Sequence, residues 1–354
     1  MALPRIAIIG FAHSPNIAGT HGTTNGVEML IPCFAKLYAE LGISRTDIGF
    51  WCSGSSDYLA GRAFSFISAI DSIGAMPPIN ESHVEADGAW ALYEAWVKIA
   101  SGEVDLALAY GFGKATAGDT DLTLALQTDP YTVAPLWPQA RSLAALQARA
   151  GIDAGTWTEA DMAAVAARAS GASIDSLLAA EYVANPLRAH DIAPYTDAAA
   201  AVIIAGERRA HELVANPAFI TGWDHRIDSP NFGARDLTVS PSTALAADTA
   251  FDGRSRAVDV AEIAAPYTHQ ELIVRNALKL PESVRINPSG GLAHGHSLFS
   301  AGLQRIGYAA HEILTGNAET AVAHATGGPL LQQNMVVTLA RAAHRGSAHV
   351  EGEN

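Results

Sequence analysis

The sequence predicts a layered α/β protein built from two copies of one unit, and three observations carry that prediction. Glu94–Gly113 (EAWVKIASGEVDLALAYGFG) lies over Tyr308–Gly328 (YAAHEILTGNAETAVAHATGG) at a single constant offset. Ile99 meets Ile313, Gly102 meets Gly316, Asp105 meets Glu319, Ala107 and Ala109 meet Ala321 and Ala323, and Gly113 meets Gly327. The same offset pairs Gly88 with Gly302, so each copy reads as glycine, helix, Ser/Thr-Gly stop, buried strand and glycine turn. A second pair of segments, Asp47-Ile-Gly-Phe-Trp-Cys and Asp259-Val-Ala-Glu-Ile-Ala, reads as two short strands, each just ahead of a polar loop. Elsewhere strand and helix periods alternate, as they must when helices cover a sheet.

Taken in order, Ile6–Gly10 is an apolar strand. The N-terminus lacks the charged start and longer apolar run of a signal peptide. Val27–Leu41 is an amphipathic helix with Met29, Leu30, Phe34, Leu37 and Leu41 on its apolar side. Ser44 and Asp47 have the spacing of a capping box. Glu85–Ala100 is expected as a helix whose aromatics Trp90, Tyr93 and Trp96 recur at helical spacing, as core or interface residues. From about Ala115 to Ala193 the character changes: Pro130, Pro135 and Pro138, a helix opened by Thr158 with Asp161 three residues on, then Asn185-Pro186-Leu187. This stretch reads as an excursion between core strands. Ala198–Ala205 returns as a strand of the first unit and Ala218–Gly222 opens the second. The expected division is residues 1–114 with 194–215 as the first half, 115–193 as the insertion, and 216–354 as the second half.

Composition bounds the function. A chain of 354 residues exceeds the usual single core. With 49% hydrophobic and 16% charged residues it is packed, and so little surface charge points to further burial in an oligomer. The net charge of −14 and the lack of any Lys/Arg run exclude a nucleic-acid footprint. The longest apolar stretch, Ala198–Ala205, is too short to span a bilayer. Two cysteines, Cys33 and Cys52, give no disulfide framework and place the chain in a reducing, cytoplasmic setting. The histidines are scattered, Asp224-His225 reads as a surface pair, and no metal constellation is expected.

Chemistry concentrates in Asn287–Gly302 (NPSGGLAHGHSLFSAG), which runs directly into a helical pattern. Gly290, Gly291 and Gly295 let backbone approach a ligand, and a helix N-terminus offers free N–H groups. His294 and His296 can donate or take a proton. Together they describe a place where a carbonyl oxygen gains negative charge.

Three segments carry a family resemblance. Asn185-Pro-Leu with Tyr195-Thr-Asp197-Ala-Ala-Ala-Ala resembles a "PL…SDGAAA" pattern. Glu262-Ile-Ala-Ala-Pro-Tyr267-Thr-His-Gln-Glu-Leu272 resembles "ELHDxFSxxEL", and Asn287–Gly302 resembles "NPSGGLxxxGHPxGATG". In this order they resemble the thiolase superfamily, closest to the sterol-carrier-protein-type thiolases and the steroid side-chain aldolases of actinobacteria. The resemblance covers nearly the whole chain. It implies a duplicated five-layer α-β-α-β-α fold and an acyl-CoA thioester as substrate, with no separate cofactor. It also implies a homodimer or a heteromer with a thiolase-like paralogue.

The departures from the family decide the expected reaction. Counting back from Gly102, the family's cysteine turn falls on Glu85-Ala-Asp87-Gly88, so Glu85 stands where the nucleophile should be. A carboxylate would give an anhydride rather than a transferable thioester, which argues against acyl transfer. Cys52 follows the wrong strand for a nucleophile and reads as a small buried thiol, and Cys33 reads as core. Ser297 replaces the proline after the family's Gly-His, Ala264-Ala265 replaces its His-Asp, and His324 lies near the place of its second cysteine. Retro-aldol cleavage of a 3-hydroxyacyl-CoA needs no covalent nucleophile, only a base and an oxyanion site. The expected catalytic residues are His296 and His294 for the oxyanion and Tyr267 and His269 for proton transfer. Gly290, Gly291, Gly295, Glu85, Asp87, His324, Gly327 and Gly328 are expected to bind substrate. Two alternatives stand beside this lyase: a non-catalytic subunit that supports a catalytic paralogue, and a 3-ketoacyl-CoA thiolase.

Overall fold

The long strands send alternate residues to different cores, and that alternation sets the layers. The computed structural model describes residues 4–20, 26–60, 63–74 and 79–341. The first part of the chain gives β1 (Ile6–His13), α1 (Gly26–Leu41), β2 (Phe50–Gly54), α2 (Asp57–Ala60), α3 (Ile67–Ile73), β3 (Glu81–Val84), α4 (Gly88–Ala100) and β4 (Leu106–Lys114). An excursion follows, with α5 (Thr120–Leu126), α6 (Ala140–Asp153), α7 (Glu159–Ser170), α8 (Ile174–Leu178) and the hairpin of β5 (Tyr182–Ala184) and β6 (Leu187–Arg188). Then come β7 (Asp197–Gly206) and α9 (Glu207–Leu213). The rest is β8 (Ala218–Ile227), α10 (Pro241–Phe251), β9 (Val260–Ile263), α11 (Thr268–Leu278), β10 (Arg285–Ile286), α12 (Ala301–Leu314), β11 (Thr320–Gly327) and β12 (Gln333–Ala340).

Hydrogen bonding runs β10-β9-β11-β12-β8-β1-β7-β4-β2-β3. Read from either edge, each half has a parallel trio (β3-β2-β4 and β10-β9-β11) followed by two antiparallel strands (β7-β1 and β12-β8). The duplication seen in the repeat is therefore a duplication of sheet topology. Among the described residues the two halves of the sheet meet edge to edge where β1 pairs with β8, at Ala7–Phe219 and Ile8–Ala218.

Packing separates the sheets into layers. In β4, Ala107 and Ala109 face a central core that they share with α4 and α12, while Leu106, Leu108 and Tyr110 face an outer core with α1. In β11, Ala321 and Ala323 face the same central core, and Val322 faces a second outer core with α10 and α11. The order is α1/α3, first sheet half, α4/α12, second sheet half, α10/α11. Alanine on the inward side of both strands lets the two central helices sit close to both sheets. Tyr93 and Trp96 of α4 close this layer against Trp223 of β8, with ring centroids 4.9 and 5.4 Å apart.

One local prediction comes out differently. The helix expected from Glu85 begins at Gly88, because Asp87, in extended backbone, caps it; Glu85 and Ala86 form a bend that follows edge strand β3. The excursion shares a core with its host: Ala144, Ala148, Trp157 and Met162 pack with Ala246, Phe251 and Val274 of the second half's outer layer. Both capping boxes form, with Asp47 accepting from the Ser44 N–H at 2.8 Å and Asp161 from the Thr158 N–H at 2.8 Å.

Candidate active site

The glycine-rich loop after β10 is held at both ends. At its root Asn287 accepts from the Ile263 N–H at 2.6 Å and donates to Glu271 at 2.9 Å, fixing the loop to the ends of β9 and α11. Arg305 of α12 is buried and donates to Glu262 at 3.0 Å and to Ser289 at 2.8 Å. At the far end the His296 N–H donates to the Pro194 carbonyl at 2.8 Å, and the Thr196 N–H donates to the His296 carbonyl at 3.2 Å. His296 is thus carried on a short bridge to the segment that leads into β7. Gly295 makes this possible: its φ is +86°, and a Cβ there would lie 2.5 Å from Thr196 Cγ2.

The two central helices start at one carboxylate. Asp87 accepts from the Ala89 N–H of α4 at 2.8 Å and from the Gly302 and Leu303 N–H groups of α12 at 2.8 and 2.9 Å. The α12 start can reach the carboxylate because Gly302 has no side chain; a Cβ there would sit 2.8 Å from Asp87 Oδ1. Asp87 is 6% exposed, and burial pushes its carboxyl up to about 6 despite the three N–H donors.

A cavity of about 550 Å³ opens at this junction. Glu85, Asp87, Tyr195, Tyr267, His296 and the Gly327–Gly328 turn border it. The excursion supplies another wall, where Asp121 and Arg141 pair at 3.2 Å. Burial pulls the His296 imidazole down to about 4, so near neutral pH it is an uncharged hydrogen-bonding group. Burial pushes the Tyr267 phenol up to about 12 and raises Tyr195 as well, so both keep their protons. The Tyr195 and His296 rings lie 6.2 Å apart.

The structure gathers some of the predicted residues here and places others elsewhere. His296, Tyr267, Glu85, Asp87, Gly327 and Gly328 border the cavity. Gly291 and Gly295 border a small recess that His296 also lines, and Gly290 lies in the loop at φ +111°. His294 sits away from the cavity, 3.4 Å from Asn16 and with its ring 5.4 Å from that of Tyr308. His269 is fully buried, 3.2 Å from Gln147, and burial alone pulls it down to about 3. It does not border the cavity. His324 is fully buried against Asn334 at 2.9 Å, within the β11–β12 pair. Packing against the inner faces of α11 and β11 buries the two histidines, a consequence that residue type does not reveal.

Sequence reasoning passed over Tyr195, Asp121 and Arg141. Tyr195 lies within the Tyr195-Thr-Asp197 motif, where nothing in the sequence separates its role from that of Asp197. Asp197 is structural: it accepts from the Thr20 hydroxyl at 2.6 Å and the Thr116 N–H at 2.8 Å. Asp121 and Arg141 come from different helices of the excursion, so only the folded chain pairs them.

No thiol reaches the cavity. Cys52 lies in β2 at 0% exposure and Cys33 in α1 at 2%, and burial pushes both thiols up to about 12. These are the two cysteines of the sequence. Among the described residues no helix is long and apolar enough to cross a membrane.

Neither a protein-family model nor a curated protein sequence matches the chain. Solved structures do. Human mitochondrial 3-ketoacyl-CoA thiolase aligns over 97% of this chain and 100% of its own, with a TM-score of 0.76 at 16% identity. An Ltp2-ChsH2(DUF35) aldolase aligns over 98% of this chain and 100% of its own, with a TM-score of 0.78 at 15% identity. With its paired sheet halves, central helix pair and five layers, the chain has the thiolase fold.

Proposed function

We propose that the chain is a thiolase-fold carbon–carbon lyase that cleaves a branched 3-hydroxyacyl-CoA by a retro-aldol reaction. One observation carries the reading: the cavity at the junction of the two central helices offers a neutral histidine, two phenols and the carboxylates of Glu85, Asp87 and Asp121, and no thiol. Thiolysis requires a nucleophile that forms a thioester, and both cysteines are locked in cores. Retro-aldol cleavage requires a base, a proton-holding donor and an oxyanion site.

The steps follow from the side chains. Asp87 has donors on about three of its four lone-pair sites and a pKa near neutrality, which suits it to remove the hydroxyl proton at C3. The C2–C3 bond then breaks. Its electron pair passes to the thioester as an enolate, and C3 departs as a ketone. His296, uncharged, donates a hydrogen bond to the enolate oxygen, and its clamped backbone holds the ring in place without reorganisation. The Tyr267 phenol hydrogen-bonds the C3 oxygen, and Asp87 returns the proton to C2. Tyr267 thereby changes role from the expected base to a donor, since its proton is held too tightly to leave.

The test is cleavage of a synthetic 3-hydroxyacyl-CoA bearing a tertiary C3, followed by mass spectrometry of the ketone and the shortened thioester. His296→Ala should lower kcat by roughly 10²–10³, and Tyr267→Phe should also lower it, with the fold intact by circular dichroism. Cys52→Ala should cleave at the wild-type rate. CoA-dependent cleavage of a 3-ketoacyl-CoA, or full activity in His296→Ala, sinks the proposal.

A supporting-subunit reading has its own observation. The excursion displays Leu126, Tyr131, Leu136 and Trp137 at 50–88% exposure on one short stretch of chain. The aldolase of the same fold is named with a DUF35 protein. Activity that appears only after addition of a second protein, and survives His296→Ala, would favour that reading.

A further inference from the structure

Beside the cavity, three side chains from two stretches of the chain converge. Asp57 opens α2, His83 lies on edge strand β3, and Glu85 follows that strand by one residue. One ligand atom from each lies within 4.8 Å of the others. His83 and Glu85 are two residues apart where β3 ends, and their side chains lie side by side. We propose that Asp57, His83 and Glu85 form a binding site for a divalent transition-metal ion, Zn2+ foremost, at the rim of the cavity.

The supporting geometry is that of a prepared site. His83 Nδ1 lies 3.0 Å from the hydroxyl of fully buried Ser53, its register partner on β2. That contact orients the ring and leaves Nε2 facing Glu85, as a hydrogen-bonded outer group does for a metal-binding histidine. The ring is also stacked on Phe66, with centroids 4.9 Å apart. Nε2 stands 3.6 Å from Glu85 Oε2, too long for a hydrogen bond. It is close to the edge of about 3.3 Å expected of a tetrahedron with metal–ligand bonds of about 2.0–2.1 Å.

Both carboxylates are fixed from behind. Glu85 accepts from the Asp57 N–H at 2.8 and 3.0 Å, and Asp57 accepts from the Ser65 and Phe64 N–H groups at 2.7 and 3.0 Å. One imidazole with two carboxylates suits Zn2+ or Mn2+ and lacks the thiolates a closed structural zinc site uses. Glu85 borders the cavity, so an ion here keeps positions open towards it. An oxygen of bound substrate would fill one of them. That last step rests on the lyase reading; the binding of the ion does not.

The experiment is metal uptake. Chelator-stripped protein is incubated with ZnCl2, desalted and assayed by plasma mass spectrometry, with MnCl2 and MgCl2 in parallel. Wild type should retain one zinc per chain and melt at a higher temperature with zinc than without. His83→Ala and Glu85→Gln should retain none and show no zinc-dependent shift. Ser53→Ala should bind about 10–100-fold more weakly in competition with a chromophoric chelator. Should His83→Ala fail to fold, Asp57→Asn and His83→Gln serve in its place. Zinc content unchanged by these substitutions, or none retained by wild type, overturns the site. Zinc binding without any lyase activity leaves the site standing and removes the reaction.

Discussion

Burial sets the charge state of nearly every ionisable group that matters here, and pH should expose it. His269, His296 and His324 have folded pKa values pulled to about 3, 4 and 4, against about 6.5 in an unfolded chain. Between those limits the unfolded state binds more protons, so their contribution is complete above about pH 6.5 and is lost as pH falls. Asp87 works the other way: its folded pKa of about 6 lies above the unfolded value of about 3.9, so its contribution falls as pH rises through that window. His13 and His294 are lowered with these histidines, and Glu262 and Glu81 are raised with Asp87, so five groups oppose three. The urea midpoint should therefore drop steadily from pH 7 to pH 4.5, and more steeply in Asp87→Asn. A flat profile would mean that these histidines titrate normally. Asp87→Ala should cost about 1–4 kcal/mol in urea unfolding, since one side chain caps two helices at about 0.5–2 kcal/mol each. Asp87→Asn, which keeps an acceptor oxygen, should cost less and still abolish cleavage. Equal stability losses in the two variants would argue that the charge, not the cap, matters.

At the level of elements, the sequence was informative wherever local chemistry decides. The repeat predicted the α4–β4 and α12–β11 pairs because helix stop and strand lie next to each other in the chain. The Ser44 and Thr158 caps were legible for the same reason. The start of α4 was misplaced because the Glu85 side chain belongs to a tertiary cluster, while the helix signal belongs to Asp87. His269 and His324 looked chemical in sequence and are buried, because the facing of a residue on α11 or β11 depends on what packs above it. Tyr195, Asp121 and Arg141 became visible only when the excursion folded over the cavity. The glycine-rich loop offers a test at this scale. Gly295→Ala must place a Cβ at φ +86° and against Thr196, costing about 1–2 kcal/mol in backbone conformation alone. It should break the Pro194–His296 bridge, so that lyase activity falls by more than the change in urea midpoint accounts for. Wild-type kcat in a folded Gly295→Ala protein would mean that the bridge does not position His296.

For the whole molecule, the layer order has a consequence for how the chain comes apart. Each half presents an alanine-rich face to a helix pair drawn from both halves: α4 belongs to one and α12 to the other. The arrangement is a dimer written into one chain, with a covalent tether where α9 leads into β8. Cut at residues 214–217, neither fragment could cover its own face of α4 or α12, and each should aggregate when made alone. Co-expressed, the fragments should find each other and restore the fold, held by the central helix layer and by α6 and α7 clasped to the opposite half. Soluble, folded single fragments on size-exclusion chromatography would refute this. Recovered pairs would make the tether dispensable, and the two pieces could then be varied and recombined as separate partners.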